Sequence, residues 1–92
     1  MSPTVCHLRI QGVVQGVGYR WAMAQAARRL RVAGWVRNRH DGSVEAMVSG
    51  TPDAVADMVA WARRGPASAM VRHVEVTPAE GEFQGFEQRG TA

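Results

Sequence analysis

The feature that most constrains the fold of this chain is a change of hydrophobic period across one glycine-rich segment. In residues 5–13 apolar and polar side chains alternate, which is typical of a strand with one buried face. In residues 19–32 apolar side chains recur at the spacing of an amphipathic helix, which Gly34 ends or follows. Residues 11–20, Gln-Gly-Val-Val-Gln-Gly-Val-Gly-Tyr-Arg, join the two patterns. We therefore predict a strand that enters a helix through a tight loop.

The glycines of this loop favour an anion-binding site. Gly12, Gly16 and Gly18 can adopt backbone angles closed to other residues, so that successive N–H groups can point inward at a phosphate-sized anion. Arg20 stands at the predicted helix start, where the helix dipole and unpaired N–H groups also attract anions. The glycine spacing matches neither G-x-G-x-x-G nor a Walker loop. Glycines are also typical of a flexible connection between two elements, but Arg20 at the helix start favours an anion-binding loop.

A hairpin and a second helix follow. Residues 35–39 and 44–49 have strand patterns and are separated by an Asp-Gly turn, which predicts a β-hairpin. Thr51 followed by Pro52 is typical of a helix start, and Gly65 stands where that helix should end.

The end of the chain adds strands and completes the predicted fold. Residues 70–76 form a strand in which the valines do not share one parity, so we expect a bulge there. A short edge strand within residues 83–89 is a fifth candidate. The order β-α-β-β-α-β predicts an α+β, ferredoxin-like sandwich with two helices on one face of an antiparallel sheet. Since no linker or repeat stands out, we expect one domain over residues 1–92.

Composition limits the compartment and the partners. No apolar run approaches the roughly eighteen residues of a membrane span, and no secretory signal follows Met1, so we expect a cytoplasmic protein that does not enter a membrane. Cys6 has no second cysteine with which to pair. All 11 basic residues are arginine and the formal net charge is +3, which favours anionic partners. The arginines are spread along the chain, however, and do not indicate a nucleic-acid-binding run.

The residues near the loop offer few catalytic groups. Ser43 stands beside no obvious base, and Cys6 and His7 point to opposite faces of one strand. The three histidines are too scattered to indicate a metal site. A site with so few catalytic groups suits a phosphate ester that is already activated. In such an ester the leaving group is a weak base, for example a carboxylate whose conjugate acid has a pKa of about 4 to 5, and it needs no general acid. An acyl phosphate fits this description, whereas a phosphate monoester is more demanding.

Asn38 is the candidate for orienting the attacking water. Its carboxamide can accept a hydrogen bond from water while it donates another to a phosphoryl oxygen. An asparagine at a strand end before a turn is also ordinary, so the residue type alone does not decide between these readings.

Two blocks of the sequence resemble the acylphosphatase family. Residues 12–20 are similar to the glycine-rich signature that ends in Phe/Tyr-Arg, and Gly-Trp-Val-Arg-Asn at residues 34–38 with Asp-Gly-Ser-Val-Glu at 41–45 is similar to the second block. The resemblance covers nearly the whole chain. It implies a ferredoxin-like fold, hydrolysis of small acyl phosphates and no cofactor. Ser43 replaces a commoner threonine, and the aromatic ending often seen is missing.

The resemblance also implies roles for individual residues. Arg20 would bind the phosphate, and Asn38 would orient the nucleophilic water. The loop amides would hold the phosphoryl oxygens; they belong to Gln15, Gly16, Val17, Gly18, Tyr19 and Arg20. Inorganic phosphate would be the product and a competitive inhibitor, and we expect a monomer without metal.

Two alternatives have different sequence signatures. A carbamoyl-phosphate-handling domain of a hydrogenase maturation protein would share this fold and motif, but the absence of a linker favours the free-standing enzyme. A nucleic-acid-binding module would use the open sheet face. A sheet that binds RNA carries aromatic rings on which bases stack, and the predicted outward positions have none, which argues against this alternative. These positions are His7, Arg9, Glu45 and Met47.

Overall fold

In the computed structural model, which describes residues 2–92, a five-stranded sheet is covered on one face by two helices. The strands are β1 (Thr4–Val13), β2 (Ala33–Asn38), β3 (Val44–Gly50), β4 (Met70–Pro78) and β5 (Phe86–Arg89), and the helices are α1 (Tyr19–Leu30) and α2 (Pro52–Arg64). The strand order is β4-β1-β3-β2-β5. This arrangement confirms the predicted ferredoxin-like α+β fold.

The fifth strand is formed, and it makes the sheet mixed. Strands β1 to β4 pair in antiparallel fashion, but β5 runs parallel to β2. The prediction of an antiparallel sheet is therefore wrong for this edge. The chain between β4 and β5 crosses four strand spacings, about 19 Å, and the seven residues 79–85 reach about 23 Å. Because the crossing stays at one end of the sheet, β5 must run opposite to β4 and hence along β2.

Helix α1 ends two residues earlier than its hydrophobic pattern predicts. Arg31 adopts a left-handed conformation with φ 60°. The N–H of Val32 then donates to the carbonyl of Ala27 at 2.8 Å, which is the bond of a Schellman cap. Gly34 is not the cap, because it lies within β2.

Helix α2 begins and ends as its sequence predicts. The Oγ1 of Thr51 accepts a hydrogen bond from the N–H of Ala54 at 3.1 Å, and Pro52 occupies the first helical turn. Gly65 ends the helix. The two helices and the inner sheet face enclose the core, whose largest fully buried side chains are Tyr19, Leu8, Ile10, Met23, Met58, Val14, Val36, Val44 and Val48.

The predicted bulge in β4 lies opposite the start of the glycine-rich loop. Gln11 pairs with His73, but Gly12 pairs with Val71, so Arg72 is an extra residue on β4. Such a bulge bends the strand pair locally. It therefore lies at the point where β1 leaves the sheet for the loop.

The open face of the sheet carries an aromatic ring that was not predicted from the sequence. Trp35 pairs with Met47, and the guanidinium groups of Arg37 and Arg89 each lie 4.8 Å from the centroid of its ring. The prediction that outward positions lack aromatic rings is therefore wrong at Trp35. Nearby, Glu45 accepts hydrogen bonds of 2.7 Å from both His7 and Arg37. Neither described helix is long and apolar enough to span a membrane.

Candidate active site

The loop between β1 and α1 borders a depression of about 160 Å³. The residues around this depression come from the loop, from the first turn of α1, and from the ends of β2 and β5. They are Val14, Gly16, Gly18, Tyr19, Arg20, Trp21, Asn38 and Gln88. The depression therefore joins the two sequence blocks that carry Arg20 and Asn38.

Gly18 shapes the loop at the start of the helix. It adopts φ 75° and ψ 20°, which is left-handed, and a Cβ at this position would meet no atom within 4 Å. Its backbone conformation, and not its lack of volume, is thus the reason for a glycine. No side chain caps this helix end and no acidic residue lies in the first turn of α1. The positive end of the helix dipole consequently faces the depression without a local counter-charge.

Three hydrogen bonds hold the loop and the helix start in place. The side-chain amide of Gln15 donates to the carbonyls of Arg39 and Ser43 at 2.7 and 2.8 Å. Ser68 donates to the carbonyl of Val17 at 2.9 Å. These bonds tie the loop to the β2–β3 turn on one side and to the segment after α2 on the other. The loop geometry is consequently set by its neighbours.

Tyr19 anchors the first turn of α1. Its hydroxyl donates to the carbonyl of Ala62 at 2.8 Å, and its ring centroid lies 5.4 Å from that of Trp61. Burial raises the pKa of Tyr19 well above its ordinary value, so the hydroxyl remains a donor at neutral pH. Because Tyr19 is fixed to α2, the next residue, Arg20, starts from a rigid backbone.

Arg20 is half-buried at the edge of the depression. Its Nη1 donates to the carbonyl oxygen of Arg89 at 3.0 Å, at the end of β5. A guanidinium has five N–H donors in a planar fork, so this bond orients the group and leaves other donors for an anion. Arg20 can therefore bind a phosphoryl group in a defined direction.

Asn38 is half-buried at the last position of β2. The backbone carbonyl oxygen of Asn38 accepts a hydrogen bond from the N–H of Ala92 at 3.0 Å. The backbone N–H of His40 donates to the carbonyl of Ala92 at 3.2 Å. The backbone at Asn38 is thus held on both sides, by β3 and by the end of the chain. These bonds hold the backbone of Asn38 in a fixed position at the border of the depression.

The structure brings together some of the sequence-predicted site residues and separates others. Gly16, Gly18, Tyr19, Arg20 and Asn38 border the depression. Of the other two candidates, the Gln15 side chain is directed to the β2–β3 turn and Val17 packs partly against the core.

Three residues at the depression were not anticipated. Val14 and Trp21 lie directly beside residues that the sequence reading named, so their positions in the loop and first turn were a usable signal. Gln88 comes from β5, and no sequence pattern reveals that this strand lies beside β2.

A larger depression, of about 260 Å³, lies beside the β2–β3 turn and includes Asp41. Hydrogen bonds from Ser43 to the Asp41 carboxylate lower its pKa, and Arg9 also pairs with it. The carboxylate therefore serves the turn, as its sequence position predicts. Within residues 2–92, no three His, Cys, Asp or Glu side chains cluster in a way that could hold a metal ion.

Comparison with known proteins gives consistent matches. The family model named Acylphosphatase matches residues 6–88. An acylphosphatase of Thiobacillus denitrificans is 58% identical over 83 residues, which cover 90% of this chain and 93% of that protein. The structure of an acylphosphatase from Coxiella burnetii has a TM-score of 0.91 at 30% identity and covers 96% of this chain and 94% of that chain.

A larger protein contains the same fold. The crystal structure of full-length HypF in its phosphate- and nucleotide-bound form gives a TM-score of 0.89 at 23% identity. The match covers 97% of this chain but 12% of the HypF chain. At this identity the likeness concerns the fold alone.

Proposed function

Because this chain belongs to the acylphosphatase family and hydrolyses acyl phosphates, we propose that the depression between Arg20 and Asn38 is its active site. The observation that carries this proposal is that one depression is bordered by both residues, although they lie on different elements. The reaction replaces the bond between phosphorus and the acyl oxygen with a bond between phosphorus and a water oxygen. The products are a carboxylate and inorganic phosphate.

The loop and Arg20 hold the phosphoryl group in this proposal. The N–H groups of residues 15–20 and the guanidinium of Arg20 are donors that match the phosphoryl oxygens. Negative charge on these oxygens persists through phosphoryl transfer, so fixed donors stabilise the transition state. The hydrogen bond from Arg20 to Arg89 supports this role because it orients the guanidinium before substrate arrives.

Asn38 positions the water. Its carboxamide oxygen accepts a hydrogen bond from the water, and its amide nitrogen donates to a phosphoryl oxygen, so nucleophile and phosphorus are held together. As the water oxygen bonds to phosphorus, a water proton passes to solvent or to the phosphate product. The electron pair of the breaking bond remains on the carboxylate, which needs no general acid.

The test is hydrolysis of acetyl phosphate by the wild type, Arg20→Ala and Asn38→Ala, with a phosphate monoester as a second substrate. We expect each variant to lose about 10² to 10³ in kcat/KM, the usual effect of removing one such contact. Arg29→Ala is the matched control, because Arg29 is an exposed arginine of the same helix outside the depression. Near-wild-type activity in Arg20→Ala or Asn38→Ala would overturn the role of that residue.

The finer statements about partners belong to the same proposal. We propose that inorganic phosphate competes with substrate at Arg20, so its inhibition should weaken in Arg20→Ala. We further propose that residues 1–92 act as one cytoplasmic, monomeric domain without metal or cofactor. Sedimentation at micromolar concentration tests the monomer, and fractionation of cells tests the compartment. Activity retained after treatment with chelator tests the absence of metal.

We propose no role in nucleic-acid binding. Arg37 and Arg89 already lie over the half-buried ring of Trp35, and Glu45 pairs with Arg37 and with two further groups, His7 and Arg39, which supports a self-paired surface. A salt-sensitive shift with single-stranded RNA that persists in Arg20→Ala would contradict this. Carbamoyl phosphate as the preferred substrate would instead favour the carbamoyl-phosphate alternative.

A further inference from the structure

We propose that the ring of Trp21 forms a subsite for the acyl group and makes the enzyme favour acyl phosphates with aromatic acyl groups. The inference rests on the proposed function, since it requires the phosphoryl group to lie at Arg20. Trp21 follows Arg20 in the first turn of α1 and borders the same depression.

The exposure of Trp21 is the first observation. The residue is 63% exposed, whereas a tryptophan side chain usually buries about 150–250 Å² of surface. The other two tryptophans are half-buried, since Trp61 packs on Tyr19 and Trp35 lies under two guanidinium groups. Among residues 2–92, no aromatic ring or guanidinium stacks on Trp21. Its ring is therefore an apolar surface available at the edge of the site.

The composition of the border is the second observation. Arg20, Asn38 and the loop glycines supply polar groups suited to the phosphoryl oxygens. The remaining side chains are Val14 and Tyr19, which are buried, Gln88, which is polar, and Trp21. Trp21 thus supplies an exposed apolar side chain at the border of the depression.

The chemistry of the substrate connects the two observations. In an acyl phosphate a single oxygen separates the phosphorus from the acyl carbon, so the acyl group must lie directly beside the bound phosphoryl group. A planar aromatic acyl group can stack on the indole ring, whereas the single methyl group of acetyl phosphate covers little of it. Stacking of two rings changes a binding constant by about twofold to tenfold.

The contact should appear in KM. The acyl ring takes no part in the bonds made and broken at phosphorus, so its contact with Trp21 has similar strength in the ground state and in the transition state. An interaction of equal strength in both states lowers KM without raising kcat. A KM effect that depends on the acyl group thus distinguishes a substrate contact from a general disturbance of α1.

The experiment measures kcat and KM for benzoyl phosphate and acetyl phosphate in the wild type, Trp21→Ala and Trp21→Phe. In Trp21→Ala we expect KM for benzoyl phosphate to rise about twofold to tenfold more than KM for acetyl phosphate, with similar kcat changes for both. Trp21→Phe should restore most of the difference. Met70→Ala is the control, since Met70 is 67% exposed and lies on β4 outside the depression.

The outcomes separate this inference from the proposed function. Equal KM changes for the two substrates, or a fall in kcat alone, overturn the acyl subsite and leave the roles of Arg20 and Asn38 intact. Retained activity in Arg20→Ala overturns the site itself, and the subsite with it. Should Trp21→Ala not fold, the KM ratio in Trp21→Gln decides in the same way.

Discussion

The side-chain nitrogen of Gln15 lies 2.7 Å from the carbonyl oxygen of Arg39, the residue that follows Asn38. The same nitrogen donates to the carbonyl of Ser43 at 2.8 Å, so one carboxamide bridges both ends of the β2–β3 turn. The glycine-rich loop and the strand that bears Asn38 are thereby held together by a single side chain. Gln15 thus fixes the position of one half of the candidate site relative to the other.

Replacing Gln15 with alanine should lower both stability and activity. The carbonyls of Arg39 and Ser43 each lose the Gln15 hydrogen bond and keep one backbone donor, so the loss of two hydrogen bonds should lower the free energy of unfolding by about 1–3 kcal/mol. Because the loop and Asn38 lose their mutual support, kcat/KM for acetyl phosphate should fall about tenfold or more. Urea unfolding and steady-state kinetics measure the two effects, with the exposed Gln84→Ala as control. An unchanged kcat/KM in a destabilised Gln15→Ala variant would limit Gln15 to a structural role.

Gly34→Ala should damage the sheet beneath the site. Gly34 has φ 140°, and a Cβ there would lie 1.8 Å from the carbonyl oxygen of Met47 on β3. Backbone must move to relieve this contact, so we expect the free energy of unfolding to fall by more than about 2 kcal/mol. Gly42→Ala is the matched control, since it also has positive φ but would meet no atom within 4 Å, and about 1 kcal/mol is expected there. Equal losses in urea unfolding would show that the contact with Met47 is unimportant.

Glu45 should make stability depend on pH in the acid range. Partial burial raises the pKa of this carboxyl group, but the hydrogen bonds from His7 and Arg37 outweigh burial and hold its pKa below the ordinary value. The folded state then binds fewer protons than the unfolded state around the unfolded pKa of about 4.3. The ionised group therefore stabilises the fold above that pH, and the contribution is lost as the pH falls through the folded pKa.

The variant Glu45→Gln tests this linkage. Its free energy of unfolding at pH 7 should be about 1 kcal/mol below that of the wild type, because the ion pairs are only partly buried. The difference should shrink toward pH 3. Urea unfolding at pH 7, 5 and 3 gives the values, and the exposed Glu80→Gln serves as control. A difference that stays constant over this range would assign the effect of Glu45 to packing.

Local chemistry explains why most elements could be predicted from the sequence. The alternation in β1, the helical spacing in α1 and the Thr51–Pro52 cap of α2 are properties of neighbouring residues, and the structure confirms each. The mismatched parity of the β4 valines likewise indicated the bulge at Arg72. The end of α1 was missed because Arg31 adopts a left-handed conformation that sequence rules assign to glycine.

The sequence by itself determined the glycine-rich loop, the position of Arg20 at the helix start and the ferredoxin-like order of elements. The role of Asn38 was inferred from the resemblance to a family. Periodicity and backbone preference act over a few residues, so they can be read along the chain. Only the tertiary structure decided that β5 lies parallel to β2, that Gln88 and Trp21 border the depression, and that Gln15 bridges to Arg39. These contacts depend on how distant segments pack and pair, which no local pattern specifies.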